Sequence, residues 1–412
     1  MKDKIFSYIE KSSELAIELQ RELCKHPAIS PESGGEGELS KCEFLEKWLR
    51  ARGITELERY DAPDSRANGG IRPSLLATIK GKKDDERFWV MSHLDVVPPG
   101  EESLWNNDPW TLIVEGEGSE RRLRGRGVED NQQGLTSSVI AALAFVEQGI
   151  IPERDVKLLF VADEENGSLY GIDWIIKNHP GFFNKNDLVL IPDSGDPKGE
   201  SIEIAEKNSI WLKFITRGLQ AHASRPDQGK NAHLAGADLA LNLFSSLNKK
   251  FSKKDSLFEP DYSTFQLTKK EANVPNINTI PGEDVFYYDM RVLPCYKNEE
   301  VLKEVDLVKK TIEEKYGVRV DCEIVQQKES LPTSSNAPLI KLLSECIEEV
   351  YMVEAKTIGI GGGTVAAFLR NAGIDSAVWA RIESSAHQPN ESTLLSNIIG
   401  DAKVMALMMC KE

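Results

Sequence analysis

Cysteine is scarce in this sequence. Six cysteines are spread over 412 residues, and none of Cys24, Cys42, Cys295, Cys322, Cys346 and Cys410 stands close to another. That argues against a disulfide framework and a zinc knuckle, and for reduced thiols in a cytoplasmic protein. Basic charge is also short: 50 Lys and Arg face 66 Asp and Glu, a net charge of −16. Nucleic acid and anionic membrane are therefore disfavoured as partners. No apolar run is long enough to span a bilayer. The opening "MKDKIFSYIEKSSELAIELQ" spaces its apolar residues helically between charges, where a signal peptide keeps them unbroken. There is no internal repeat and no Gly-x-Ser-x-Gly elbow, and no cysteine has a catalytic-looking setting, so a serine or cysteine hydrolase is a poor reading.

What is present is ordinary globular composition, 40% hydrophobic and 28% charged, in a chain too long for one simple core. Strand-like runs at 74–80, 87–92, 156–162 and 188–192 alternate with helix-like runs at 3–25, 38–52, 131–148 and 169–178. That alternation predicts an α/β layer with a largely parallel sheet. From about 208 the rhythm changes to strand, helix, two strands ("NINTI" and "DVFYYDMRVLP"), helix and strand, ending at 327. This β-α-β-β-α-β order is that of a ferredoxin-like α+β unit. After 328 the α/β rhythm returns, with helices at 337–351, 364–372 and 391–410 and strands at 355–360 and 375–380. The expectation is one α/β domain, 1–207 and 328–412, interrupted by an inserted domain, 208–327.

Polar groups with metal-binding chemistry cluster just after the apolar runs. "FWVMSHLD" places His93 and Asp95 there, "FVADEENG" places Glu164 and Glu165, and "LVLIPDSGD" places Asp193. Open α/β sheets bind ligands at the carboxyl ends of their strands. Asp130 in "GRGVEDNQQG" and His387 in "ESSAHQPNES" could join them. Each alone has a plainer explanation, such as a loop hydrogen bond, a solvated helix start or a turn residue. Together, His93, Asp130, Glu165, Asp193 and His387 form the mixed nitrogen and oxygen set that zinc accepts, as do cobalt and manganese. Five ligands exceed the needs of one tetrahedral ion, and two divalent ions sharing a carboxylate would use them all.

These segments, with "GLQAHASRPDQGKNA", "NTIPGEDVFYYDMR" and "GGGT", resemble in order the motifs of the co-catalytic dinuclear zinc amidohydrolases and exopeptidases. That family includes acetylornithine deacetylase, succinyl-diaminopimelate desuccinylase, carboxypeptidase G and aminoacylase. The resemblance covers about 70 to 391 and implies a zinc-exopeptidase-like catalytic domain with an inserted lid and dimerisation domain. It implies that Asp130 bridges two metals, that His93 and Asp193 complete one, and that Glu165 and His387 complete the other. It gives Glu164 the role of general base, and Asp95 that of acceptor for the other ring N–H of His93. His222 would stabilise the oxyanion and Arg291 would hold a substrate carboxylate. Asn278 and the backbone of Gly362, Gly363 and Thr364 would add substrate contacts. His26, His179 and His233 read as non-catalytic. Two positions depart from the family pattern: Gln132 stands where a lysine is common, and "NGS" follows the Glu pair where two glycines are common.

The resemblance implies hydrolysis of the amide bond of an N-acyl amino acid or short peptide, by a homodimer joined through the inserted domain. A metallo-dipeptidase or carboxypeptidase is the alternative. A non-catalytic binding protein on the same fold would be signalled by loss of Glu164 or a ligand, and neither is lost.

Overall fold

The computed structural model describes residues 1–411, apart from the side chain of Asp84. The chain divides into two compact units. The first comprises Met1–Ile204, Thr333–Thr357 and Phe368 onward, and the second comprises Ala205–Pro332 and Ile358–Ala367. The expected boundaries assigned all of 328–412 to the first unit, whereas Ile358–Ala367 packs with the second.

An eight-stranded sheet runs in the order Glu56–Pro63, Ile71–Ile79, Arg154–Val161, Lys83–His93, Leu188–Asp196, Ser376–Arg381, Ser201–Glu206, Lys356–Ile360. The four strands from Arg154–Val161 to Ser376–Arg381 are parallel neighbours, and the Ile71–Ile79 strand joins them antiparallel. The parallel strands carry near-continuous apolar runs because both faces are covered: Phe88 to Met91, Leu158 to Ala162 and Val189 to Ile191 are all buried. The Gln132–Gln148 helix is buried along most of its length, and its buried Ser137 and Ser138 hydroxyls are satisfied by the carbonyls of Gln133 and Leu135. It packs on the sheet and is covered by the helix Leu395–Cys410.

Some elements differ from expectation. The predicted first helix is two, Lys2–Lys11 and Ser13–Cys24. Between them Ser12 turns its hydroxyl onto the Tyr8 carbonyl at 2.8 Å, a side-chain bond that competes with helix continuation. The edge strand Glu56–Pro63 was not expected, because "ELERYDAP" buries only Ala62 and so lacks alternation. The last helix begins at Leu395, because Ser392–Leu394 pairs instead with Arg122–Arg124.

In the second unit four antiparallel strands lie in the order Thr264–Lys270, Glu283–Val292, Asn208–Arg217, Arg319–Lys328. With the helices Ala232–Lys250 and Asn298–Tyr316 this is the ferredoxin-like arrangement. Alternation sets its core: Ile210, Leu212, Phe214, Phe286, Tyr288 and Met290 face Leu239, Leu243, Val301 and Val305 of the helices. One strand is not the expected one. Of "NINTI" only Thr279–Ile280 pairs, with Ala221–His222, and Thr264–Lys270 takes its place in the sheet. The surface residues of "TFQLTKK" hid that strand, since it buries only Phe265. Among the described residues no helix is long and apolar enough to cross a membrane, and all six cysteines are free.

Candidate metal centre

The Lys83–His93 strand lies between Arg154–Val161 and Leu188–Asp196 and is parallel to both. Their carboxyl ends therefore share one edge of the sheet. His93 is the last residue of its strand, and Glu164 and Glu165 follow Val161 closely. Asp193 stands in an irregularity of the third strand, where Ile191 pairs with Val378 and the next paired residue is Gly195. Pro192, which has no N–H to donate, sits at that break.

Asp130 reaches the same edge from the loop before the Gln132–Gln148 helix. The approach depends on Gly134: a Cβ there would lie 2.6 Å from both the carbonyl oxygen and Cγ of Pro192. Asn131 fastens the contact, its Nδ2 donating to Pro192 O at 2.8 Å and to Asp193 Oδ1 at 2.5 Å. His387 comes from the loop after Ser376–Arg381 and is exposed, whereas His93 is buried.

The five expected ligands converge. His93 Nε2 lies 2.9 Å from Asp130 Oδ1 and 3.3 Å from Asp193 Oδ1. His387 Nε2 lies 2.9 Å from Asp130 Oδ2 and 3.1 Å from Glu165 Oε2. Ligand atoms of His93, Glu164 and Asp193, and likewise of His93, Asp130 and Glu165, lie within 4.8 Å of one another. The donor set fits divalent cations: imidazole and carboxylate, with the carboxylates in excess.

That excess shapes the electrostatics. Burial opposes a charged His93, but the Asp193 charge and the close Asp130, Asp193 and Asp95 carboxylates raise its pKa well above the ordinary value. Hydrogen bonds to Asp130 and Glu165 lift His387 to about 10. Burial acts upward on Asp130, yet bonds from His387 and His93 hold it below the usual carboxylate range. Burial, then the Asp193 charge, pushes Glu164 well above it. Among the described residues no donor hydrogen-bonds the Glu164 carboxylate, which leaves its oxygens available for proton transfer.

Asp95 departs from its expected task. The group at hydrogen-bond distance from His93 Nδ1 is the Asp95 backbone carbonyl, at 2.9 Å, while the carboxylate is 3.5 Å away. The carboxylate instead accepts the backbone N–H groups of Glu164 and Glu165, each at 3.0 Å. It thus orients the Glu pair, while the backbone carbonyl of the same residue fixes the imidazole. Beneath them Asp163, at φ 63°, accepts from Tyr170 N at 3.0 Å and pairs with buried Arg72 at 3.2 Å. Arg72 is held in turn by buried Glu38. The roles of Asn131, Arg72 and Glu38 were not foreseen. Asn131 adjoined Asp130 in a recognised motif, but the other two carried no local signal.

The second unit holds the remaining expected residues. His222 is exposed, and its Nδ1 accepts from Ser224 N at 3.1 Å. A backbone N–H can only donate, so Nδ1 is the bare nitrogen and Nε2 carries the proton. Asn278 lies beside it in the chain pairing, its carbonyl accepting from Ala223 N and its Oδ1 from Asn276. Arg291 engages Asp289 through Nε at 2.6 Å and Nη2 at 2.9 Å, with Nη1 on Gly361 O at 3.2 Å. Its Nε fork is therefore already filled. The helix expected to open at 364 begins at Ala366, and the Thr364 hydroxyl donates to buried Glu206 at 2.7 Å. A carboxylate at that position weakens the case for an anion cradle at Gly362, Gly363 and Thr364.

A parallel sheet with carboxylates and imidazoles gathered at its carboxyl edge defines an α/β protein with a candidate metal centre. The sequence locates it further: the profile of peptidase family M20/M25/M40 matches residues 89–411, and the chain belongs to that family. It is a hydrolase of peptide or amide bonds. The chain is 37% identical over 407 residues to an uncharacterised metallohydrolase of Methanocaldococcus jannaschii, covering 95% of this chain and 98% of that one. It is 27% identical over 358 residues to a succinyl-diaminopimelate desuccinylase of Cereibacter sphaeroides, covering 86% and 87% of the two chains. It shares its fold with a dinuclear metal-binding M20 peptidase of Bacillus subtilis, at a TM-score of 0.66, 15% identity, and 96% and 97% coverage.

Proposed function

We propose that this metallohydrolase cleaves the amide bond of N-acyl amino acids, with desuccinylation or deacetylation of a diamino acid as its leading activity. The observation that carries the reading is the division of Asp130 between His93 and His387, one oxygen to each. A carboxylate so placed suits two cations, with His93 and Asp193 serving one and Glu165 and His387 the other. Zinc fits the donors, and cobalt or manganese would also be accepted. When bound, the cations would polarise the scissile carbonyl and lower the pKa of the attacking water.

The chain's own groups do the rest. Glu164 takes a proton from the water and delivers it to the leaving amine. Asp95 holds Glu164 and Glu165 in register through their backbone N–H groups. His222, protonated on Nε2, donates to the developing oxyanion. Arg291 meets a substrate carboxylate through Nη1, which exchanges its 3.2 Å bond to the Gly361 carbonyl for the substrate. The resemblance to a desuccinylase supports an acyl amino acid as substrate. Zinc-loaded enzyme should turn over N-succinyl-diaminopimelate or N-acetylornithine; turnover of dipeptides alone would replace this reading with a dipeptidase. A homodimer through the second unit is part of the proposal, supported by Leu234, Leu241 and Phe244 exposed along one helix. Leu241→Glu should then shift the sedimentation coefficient to that of a monomer.

A further inference from the structure

Two buried glutamates outside the ligand set form a reciprocal clasp. The short antiparallel pairing of Arg122–Arg124 with Ser392–Leu394 brings two loops side by side. One leads to Asp130 and the other carries His387. Glu129, next to Asp130, sends its carboxylate into the His387 loop. Its Oε1 accepts from Glu383 N at 2.6 Å, and its Oε2 accepts from Ala386 N at 3.0 Å and Ser385 Oγ at 2.9 Å. Glu391, four residues after His387, does the converse. Its Oε1 accepts from Glu129 N at 2.9 Å and Asp130 N at 3.0 Å, and its Oε2 from Gly127 N at 2.8 Å and Arg126 Nη1 at 2.7 Å.

Both side chains are costly to bury, Glu391 being wholly and Glu129 almost wholly enclosed. Two apolar residues would pack a core as well. The His387 loop also contains three non-glycine residues at positive φ, Ser384, His387 and Asn390. Such a backbone persists only where its surroundings over-determine it, and Glu129 supplies acceptors to three residues of that loop.

We infer that Glu129 and Glu391 are positioning residues for the metal centre: Glu129 sets the His387 loop, and Glu391 sets the Asp130 loop. Asp130 serves both cations and His387 only one, so the two glutamates have unequal consequences. Removing the Glu129 acceptor weakens the cation held by His387. Removing the Glu391 acceptor weakens both. The inference rests on the two-cation reading above.

The test is zinc titration of chelator-stripped enzyme in competition with a chromophoric chelator, on wild type, Glu129→Gln and Glu391→Gln. An amide turns an N–H toward the loop donors and keeps the volume. Glu129→Gln should retain one zinc of wild-type affinity and bind the second about 10–100-fold more weakly, the usual effect of a lost outer partner. Glu391→Gln should weaken both. Two zinc ions of unchanged affinity in Glu129→Gln would overturn the inference. Fewer than two in wild type would instead reject the two-cation reading. Amide hydrogen exchange on the stripped wild type covers the case in which a variant does not fold. The amides of Ala386 and Asp130 should be protected before metal is added, and rapid exchange in the folded protein would show that no clasp positions the ligands.

Discussion

Asp130 divides its carboxylate between two histidines, with Oδ1 and Oδ2 each 2.9 Å from the Nε2 of His93 and His387 respectively. The two histidines lie far apart in the sequence, yet one side chain joins them. Loss of the shared group and loss of one histidine should therefore differ. Asp130→Ala should abolish zinc binding at both positions, while His387→Ala should leave one zinc bound. Metal content after dialysis, read by atomic emission, distinguishes them; equal losses would mean that Asp130 is not shared.

Glu164 is half-buried among the ligands but receives no hydrogen bond on its carboxylate among the described residues. Glu164→Gln should keep both metals and lower kcat by about 10²–10⁴-fold, the range of general acid–base catalysis. A variant with wild-type kcat would remove Glu164 from the reaction. Chelation of the wild type should likewise abolish activity, and added zinc or cobalt should restore it.

Gly134 matters through volume. A methyl group there meets Pro192 O and Cγ at 2.6 Å, and neither backbone nor proline ring can swing aside. Gly134→Ala should cost about 1–3 kcal/mol, as overpacking does, and should also weaken zinc binding by parting Asp130 from Asp193. Urea denaturation and zinc affinity measured together check both, and an unchanged affinity would separate helix packing from the site.

Asp401 provides a pH test away from the ligands. Burial pushes its carboxyl up to about 7 from an ordinary 3.8, although Tyr351 and Gln133 donate to it. A raised acid stabilises the fold fully below the unfolded pKa, and that contribution is lost as pH rises through the folded pKa. Wild-type stability should therefore decline relative to Asp401→Asn between pH 4 and 8. The decline should reach a few kcal/mol, since each tenfold change in proton affinity is worth about 1.4 kcal/mol. Urea melts of both proteins across that range measure the difference, from which zinc loss common to both cancels. A flat difference would place the Asp401 pKa near its ordinary value.

Much of this protein is legible in its sequence, because the signals concerned are local. Apolar runs at 87–92, 156–162 and 188–192 mark strands buried on both faces, and the polar residues that follow fall at strand ends. Motif order then leads to the family that residues 89–411 match. The weakly patterned strands, Glu56–Pro63 and Thr264–Lys270, were not legible, since an edge or surface strand buries too little to alternate.

Tertiary structure decided what depends on distant partners. It alone pairs Arg72 with Glu38 across 34 positions, assigns Asp95's carboxylate to two backbone N–H groups, and sets Arg291 Nη1 on the Gly361 carbonyl across 70 positions. It packs Ile358–Ala367 with the second unit. It also links Glu129 with Ala386 across 257 positions. Residue type and spacing determine which elements form and which ends bear ligands. Which buried charge meets which donor is settled only when the sheet and its loops close around them, because an ion's cost or benefit depends on the groups that replace its water.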